Sequence, residues 1–329
     1  MDGVVDNQEK VFHKYLELPE NARSMIINEM VPSDKCRFTR CSKLCKIEVQ
    51  TSKNYVYEVS FSSPVYSSRG IPILIEVVYD KYERSDRQPG FLLRFSEQSG
   101  SKFQEYRSLA NGLTLRTELN SSTNLFEYAI EEFRNRMMIY QFSVKSLKIH
   151  GNDLANVNLG IDSLNSLEKL DIRGNFDALQ FLSKLQKPLQ TLYTSRTRDI
   201  ACLANYKHIY QVKDQLLCWK ATFNIEQMKR LIAKSVYMDI GKLTPKDIFT
   251  FIRSWQNGSV GRDIEIYRWC LRGYNFNKMK LLQLLRVRID MNLSDQFEIK
   301  HFKQHGKSAR LVFDTYDYLI FSTTHMNVA

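Results

Sequence analysis

The sequence predicts a mixed α+β and α/β chain: a small helical module, an antiparallel β-segment, then a degenerate β-α repeat array closed by a C-terminal hairpin. Three observations predict it. Apolar residues fall at helical spacing before residue 50, change to period two between 51 and 120, and from about 144 recur at an offset of 23 residues. The expected divisions of the 329 residues are therefore 1–50, 51–140 and 141–329.

In the first division, Leu18-Pro19 opens a helix, because proline is tolerated where the first N–H groups lack partners anyway. Ala22, Met25, Ile26 and Met30 form its expected apolar face, Pro32-Ser33-Asp34 ends it, and Phe38, Cys41 and Cys45 make the next stripe. In the second division, Tyr55, Tyr57, Val59 and Phe61 alternate with polar residues, as do Ile73, Ile75, Val77 and Tyr79. Phe91–Leu93 and Leu113–Leu115 are shorter strand candidates, and 123–140 reads as a helix capped by Ser122 or Thr123.

In the third division, Leu147-x-Ile149-x-x-Asn152 is repeated as Leu170-x-Ile172-x-x-Asn175, with Val144 and Leu167 three residues ahead of each copy. This is the leucine-rich-repeat pattern, in which alternate apolar residues point a short strand into a shared core and an Asn amide satisfies the backbone at the following turn. Looser copies are expected at Leu189–Leu192, Ile209–Val212, Val236–Ile240 and Ile264–Ile266. Helices are expected from Asn224 and from Thr244-Pro245-Lys246-Asp247, a capping box, the second ending at Asn257-Gly258. A helix over 276–289 and a hairpin of 297–302 with 309–322 close the array.

Composition narrows the function. With 43% hydrophobic and 25% charged residues, the chain is globular rather than disordered. No apolar run reaches the roughly 18 residues of a membrane span, and the acidic first residues do not form a signal peptide, so a cytoplasmic or nuclear protein is expected. Residues 1–140 carry 19 basic and 19 acidic side chains and 141–329 carry 28 and 17, so the whole net charge of +11 lies in the second part. That split predicts a neutral half for one partner and a basic surface for another. The six cysteines lack zinc-ligand spacing and read as buried thiols. Gly306-Lys307-Ser308 lacks the first glycine of a phosphate loop, and His301 and His305 fall in a strand and turn rather than on one helix face. No catalytic motif, metal or cofactor is expected.

The order Leu18-Pro19, Met25-Ile26-Ile27, Met30, Asp34, Cys36, Phe38, Cys41, Ser42-Lys43 resembles an F-box, the helical module by which substrate receptors join SCF-type ubiquitin ligases. Phe251-Ile252-Arg253-Ser254-Trp255-x-x-Gly258-Ser259, then Asp263-Ile264-Glu265-Ile266, and the late Gly306-Lys307-x-Ala309, are similar to the F-box-associated domain of the expanded nematode F-box families. The resemblance implies a non-enzymatic receptor acting in protein degradation. Leu18, Pro19, Ile26, Met30 and Phe38 would bind the SCF adaptor subunit and, through it, a cullin. An acidic or phosphorylated protein substrate would meet Lys148, His150, Arg173 and Arg268, which strand alternation turns away from the core. Two other readings stay open: a repeat-based interaction scaffold without a ubiquitin role, and a basic nucleic-acid-binding protein. The second is disfavoured because the aromatic residues fall at core positions rather than beside basic runs.

Overall fold

The computed structural model describes residues 15, 17–30, 34–35, 38, 41–51, 56–63, 72–79, 90–109, 112–140, 143–151, 154, 157–175, 179–195, 204–219, 221, 223–260, 263–286, 296–300 and 307–325. It is a mixed α/β chain, rich in sheet, with few helices. Two compact units divide it. The N-terminal unit takes Met1–Phe61, Arg69–Lys145 and Asn158–Ser166, and the C-terminal unit takes Ser62–Ser68, Ser146–Val157 and Leu167–Ala329.

In the N-terminal unit, helices α1 (Glu20–Glu29) and α2 (Lys43–Thr51) pack on each other. Strands β1 (Glu58–Ser62), β2 (Ile73–Val78), β3 (Gly90–Gln98), β4 (Ser101–Ser108) and β5 (Thr114–Leu119) follow in sheet order. Pairing from β2 to β5 is antiparallel throughout. Alternation works as expected in β1 and β2, where Val59, Phe61, Ile73, Ile75 and Val77 are buried. Helix α3 (Leu125–Tyr140) covers β2 and β3 and sets Phe133 edge-on to Phe61 at 5.3 Å. Its cap is Asn124, whose Oδ1 accepts from the Phe126 and Glu127 N–H groups at 3.1 and 3.4 Å, rather than Ser122 or Thr123. Strand β4 was not expected. Most of its residues are half-buried, so no period-two apolar signal forms. Ser99 and Gly100, both at positive φ (52° and 83°), make the two-residue turn that joins it to β3.

In the C-terminal unit the strands are β6 (Ser146–His150), β7 (Lys169–Arg173), β8 (Thr191–Ser195), β9 (Gln215–Cys218), β10 (Ser235–Asp239) and β11 (Ile266–Cys270). They lie side by side in chain order, all parallel, with register partners stepping from 146 to 169, 191, 215, 235 and 266. The 23-residue offset sets Leu147 beside Leu170 and Ile149 beside Ile172. One core row thus runs Leu147, Leu170, Leu192, Leu216, Val236, Tyr267, all buried. Antiparallel strands β14 (Tyr318–His325), β13 (Lys307–Phe313) and β12 (Gln296–Lys300) extend the sheet beyond β11.

The connections are short: α4 (Leu179–Leu182), a 3-10 turn (Lys207–Gln211), α5 (Ile225–Lys229) and α6 (Pro245–Gln256), with α7 (Lys278–Leu285) after β11. The expected capping box of Thr244 with Asp247 forms, and Asn224 makes a second one with Gln227. Helix α6 brings the buried Phe251 against Tyr267 at 5.0 Å, Trp269 at 5.9 Å and Phe321 at 6.2 Å.

Three expectations shift. Ile209 and Val212 are buried, but Ile209 lies in the 3-10 turn and Val212 caps its end, because a spacing of three fits one 3-10 face as well as a repeat strand; the strand begins at Gln215. The strand expected at Ile264 begins at Ile266. The stretch 309–322 is two strands, broken where Asp314–Asp317 turns and Asp317 adopts φ 61°, a left-handed position that Asp tolerates. The hairpin is therefore a three-stranded meander. Asn152, Cys36, Cys202, His301, His305 and Gly306 lie outside the described residues.

Two substitutions test this packing. Phe251→Ala empties the centre of the aromatic cluster and is expected to destabilise the C-terminal unit by about 3–5 kcal/mol, read by denaturant unfolding. Gly174→Ala would place a Cβ 1.8 Å from the Gly151 carbonyl oxygen at φ 134°. Neither backbone can give way cheaply, so this single methyl should lower the melting temperature more than Gly100→Ala, where φ is 83° but nothing lies within 4 Å.

Candidate functional site

Each unit presents one surface built from the expected site residues. In the N-terminal unit, α1 turns Ile27 inward, toward the side on which α2 buries Cys45 and Val49. The Arg23 Nε bonds Glu48 at 2.6 Å and its Nη1 reaches the Leu18 carbonyl at 2.9 Å, fixing the rotation of α1. One consequence is that the expected apolar face is not the packed one: Met25 and Ile26 are 69% and 40% exposed. Helix α2 likewise exposes Leu44 (40%) and Ile47 (56%). Of the expected adaptor residues, Pro19 and Ile26 are exposed, while Leu18, Met30 and Phe38 are half-buried. Phe38 sits edge-on to Tyr15 at 5.0 Å, and the Tyr15 hydroxyl donates to Glu48 at 2.8 Å. Sequence reasoning missed Leu44 and Ile47. Their place beside Cys45 and Val49 on a helix would have shown that α2 is apolar on more than one side.

In the C-terminal unit, the face of β6–β11 opposite the core carries a second surface. Register places Lys148, Asp171, Tyr193, Leu217, Tyr237 and Arg268 in one row across six strands. The next row begins His150, Arg173, Ser195. All four expected substrate residues thus lie on one sheet face. Sequence reasoning missed Asp171, which organises the start of both rows. Arg173 donates from Nε to Oδ1 at 2.8 Å and from Nη2 to Oδ2 at 2.7 Å, a bidentate pair. His150 Nε2 lies 3.3 Å from Oδ1, an ion pair when the imidazole is protonated. Burial works against the Asp171 charge, but His150 and Arg173 outweigh it and hold the carboxyl below its ordinary range. The same pair raises the Arg173 guanidinium. Arg173 is therefore paired with Asp171, although its side chain is more than half exposed.

Farther along, the Arg268 guanidinium lies over the Tyr237 ring at 5.0 Å, and its Nε is buried without a hydrogen-bond partner. The Tyr193 hydroxyl donates to Gln215, and its own proton is held tighter by burial and by the charge of Asp171. Trp219 sits edge-on to Tyr318 at 6.3 Å. Aromatic side chains do therefore interleave with basic ones, contrary to the expectation that they fall only at core positions. Tyr193, Tyr237, Trp219 and Tyr318 are all half-exposed. The alternation that buries Tyr267 and Trp269 in β11 leaves Tyr237 of β10 on the opposite face.

Among the described residues no group of His, Cys, Asp and Glu could hold a metal ion. The thiols of Cys45, Cys218 and Cys270 are buried and Cys41 is exposed; burial pushes Cys218 up to about 12, so it stays a protonated core thiol. Lys307 and Ser308 are buried in β13. No helix of the described residues is long and apolar enough to cross a membrane. Compared with known proteins, the chain matches no family model, no curated protein and no solved structure.

The pH response of Asp171 has a definite sign. Its folded pKa lies below its unfolded value of about 3.9, so its contribution to stability is complete above that value and is lost as pH falls through the folded pKa. Thermal melts of the wild type and Asp171→Asn are expected to differ most near neutral pH and to converge as the pH drops from about 4 toward 2. A constant difference down to the acid end would show that the carboxylate is not held by charge.

Proposed function

We propose that the chain is a substrate-recognition subunit of an SCF-type ubiquitin ligase. In this reading the N-terminal helices bind the adaptor subunit and the C-terminal β-α units, a leucine-rich-repeat-like array, bind the substrate. The observation that carries it is the exposure of Met25 and Ile26 on α1 together with Leu44 and Ile47 on α2. Large apolar side chains held out on two packed helices are unfavourable in water unless a partner covers them. The F-box resemblance names that partner, and Pro19 and Ile26 belong to both the resemblance and the exposed set.

The substrate side follows from the open sheet face. Lys148, Lys169 and Arg268 stand with His150 and Arg173 on strands whose other face is the core, and Asp171 is neutralised by its own pair. Such a face suits an acidic or phosphorylated protein segment, bound by charge-assisted hydrogen bonds. Catalysis is not required of the chain. Its contribution is proximity, raising the effective concentration of substrate lysines beside a charged ubiquitin carrier. A second reading has one observation in its favour: the interleaving of Tyr193, Tyr237 and Trp219 with cations would also suit stacked bases of single-stranded nucleic acid.

Ile26→Asp, with Met25→Ser, is expected to lower affinity for the purified SCF adaptor subunit by about thirtyfold or more while leaving the melting temperature near that of the wild type. If the wild-type chain itself does not bind the adaptor at micromolar concentration, the ligase reading is lost. Reversing Lys148 and Arg268 to Glu is expected to leave adaptor binding intact and to abolish salt-sensitive binding of acidic and phosphorylated peptides. Tighter binding of oligonucleotides than of those peptides would favour the second reading.

A further inference from the structure

Among the described residues, strand β5 is the outer strand of the N-terminal unit's sheet and pairs with β4 on one side only. It is exposed from Thr114 to Glu118, and large apolar groups at Leu113 and Leu115 are 53% and 48% exposed. Edge strands are normally shortened, bulged or covered, because their unpaired N–H and C=O groups recruit other strands. This one is six residues long and pairs with β4 without interruption.

The direction of its backbone groups is fixed by one bond. The Ser108 N–H donates to the Leu113 carbonyl at 2.8 Å, so Leu113 and the odd-numbered residues after it turn their N–H and C=O groups toward β4. Thr114, Arg116 and Glu118 turn theirs outward. From this we infer that β5 pairs antiparallel with β5 of a second copy of the chain, about a twofold axis at Thr117.

Charge selects the axis. In an antiparallel pair, outward-facing residues must meet outward-facing residues, which an axis at 116, 117 or 118 allows. An axis at Arg116 sets arginine against arginine, and one at Glu118 sets glutamate against glutamate. An axis at Thr117 sets Arg116 opposite Glu118 twice, and on the other face sets Leu115 opposite Leu119 twice. The segment Leu115-Arg116-Thr117-Glu118-Leu119 is thus self-complementary under reversal, which an isologous dimer requires. Within one chain the Arg116 guanidinium is already held on that face, 3.7 Å over the Phe103 ring and bonded to Gln98 at 2.7 Å. Phe103 is the register partner of Glu118 of the same chain, so the cation rests near that carboxylate and swings outward from Gln98 to meet Glu118 of the second copy. A single strand edge buries less than the roughly 1,000 Å² of a stable interface, so the dimer forms at high concentration. None of this rests on the ligase reading.

Sedimentation equilibrium of the full chain, from about 1 to 500 µM, tests it. The mean mass is expected to rise from one chain toward two. Arg116→Glu alone and Glu118→Arg alone should each stay monomeric, since each sets like charges together. Mixing those two variants should restore the dimer, because every 116/118 contact between them is then of opposite sign. Recovery on mixing also shows that both variants are folded. As an independent readout, Thr117→Cys should form an intermolecular disulfide on mild oxidation well above the background of the wild-type chain, since a non-hydrogen-bonded pair on the axis sits about 4.5 Å apart between Cα atoms. A wild-type chain that stays monomeric throughout overturns the inference. So does a dimer indifferent to the single reversals, or a Thr117→Cys chain that cross-links no faster than the wild type.

Discussion

The parallel register of β6–β11 is the constraint on which the C-terminal unit depends. Because side chains alternate across a strand, fixing Leu147 beside Leu170 and Leu192 fixes every other residue of those strands on one face or the other. A slip of one residue would carry Leu170 to solvent and the Asp171 carboxylate into the core, which costs free energy on both counts. The same register that packs Leu216, Val236 and Tyr267 also assembles Lys148, Asp171, Tyr193, Tyr237 and Arg268 on the other side. Core and candidate site are two faces of one decision.

On that open face, Asp171 sets the electrostatics. A nearly buried carboxylate draws Arg173 back along its own strand and faces the His150 imidazole on the neighbouring one. The charge of Arg173 is thus largely spent on Asp171. In the N-terminal unit a comparable pair, Arg23 with Glu48, fixes which side of α1 faces α2 and which side faces solvent. In both places one ion pair determines which neighbouring side chains remain open to a partner.

Much of this was legible in the sequence where a pattern had a single physical cause. The 23-residue recurrence of Leu147/Ile149 as Leu170/Ile172 placed two strands side by side, and Thr244-Pro245-Lys246-Asp247 announced a capping box that forms. Legibility failed where two causes give one pattern. Ile209 and Val212 satisfy a repeat strand and a 3-10 turn equally well, and spacing does not separate them: Val212 in the core row would leave steps of 20 and 24 residues to Leu192 and Val236, and Leu216 leaves 24 and 20. It failed also where a signal was missing: β4 carries no alternation, and the 314–317 turn has neither glycine nor proline. Outward-facing positions such as Arg268 were readable from alternation, whereas Asp171 was not singled out, because its importance comes from neighbours on two strands.

Amide hydrogen exchange on the full chain, with and without the purified SCF adaptor subunit, distinguishes whether α1 and α2 meet an adaptor while the parallel sheet is left for a substrate, as proposed. Helix amides near an interface slow when the interface forms, because local opening is suppressed. The account predicts slowed exchange across 18–30 and 43–51, and unchanged exchange in the strands from 146 to 270. Unaltered exchange in α1 and α2 at saturating adaptor, or protection confined to the parallel strands, would contradict it.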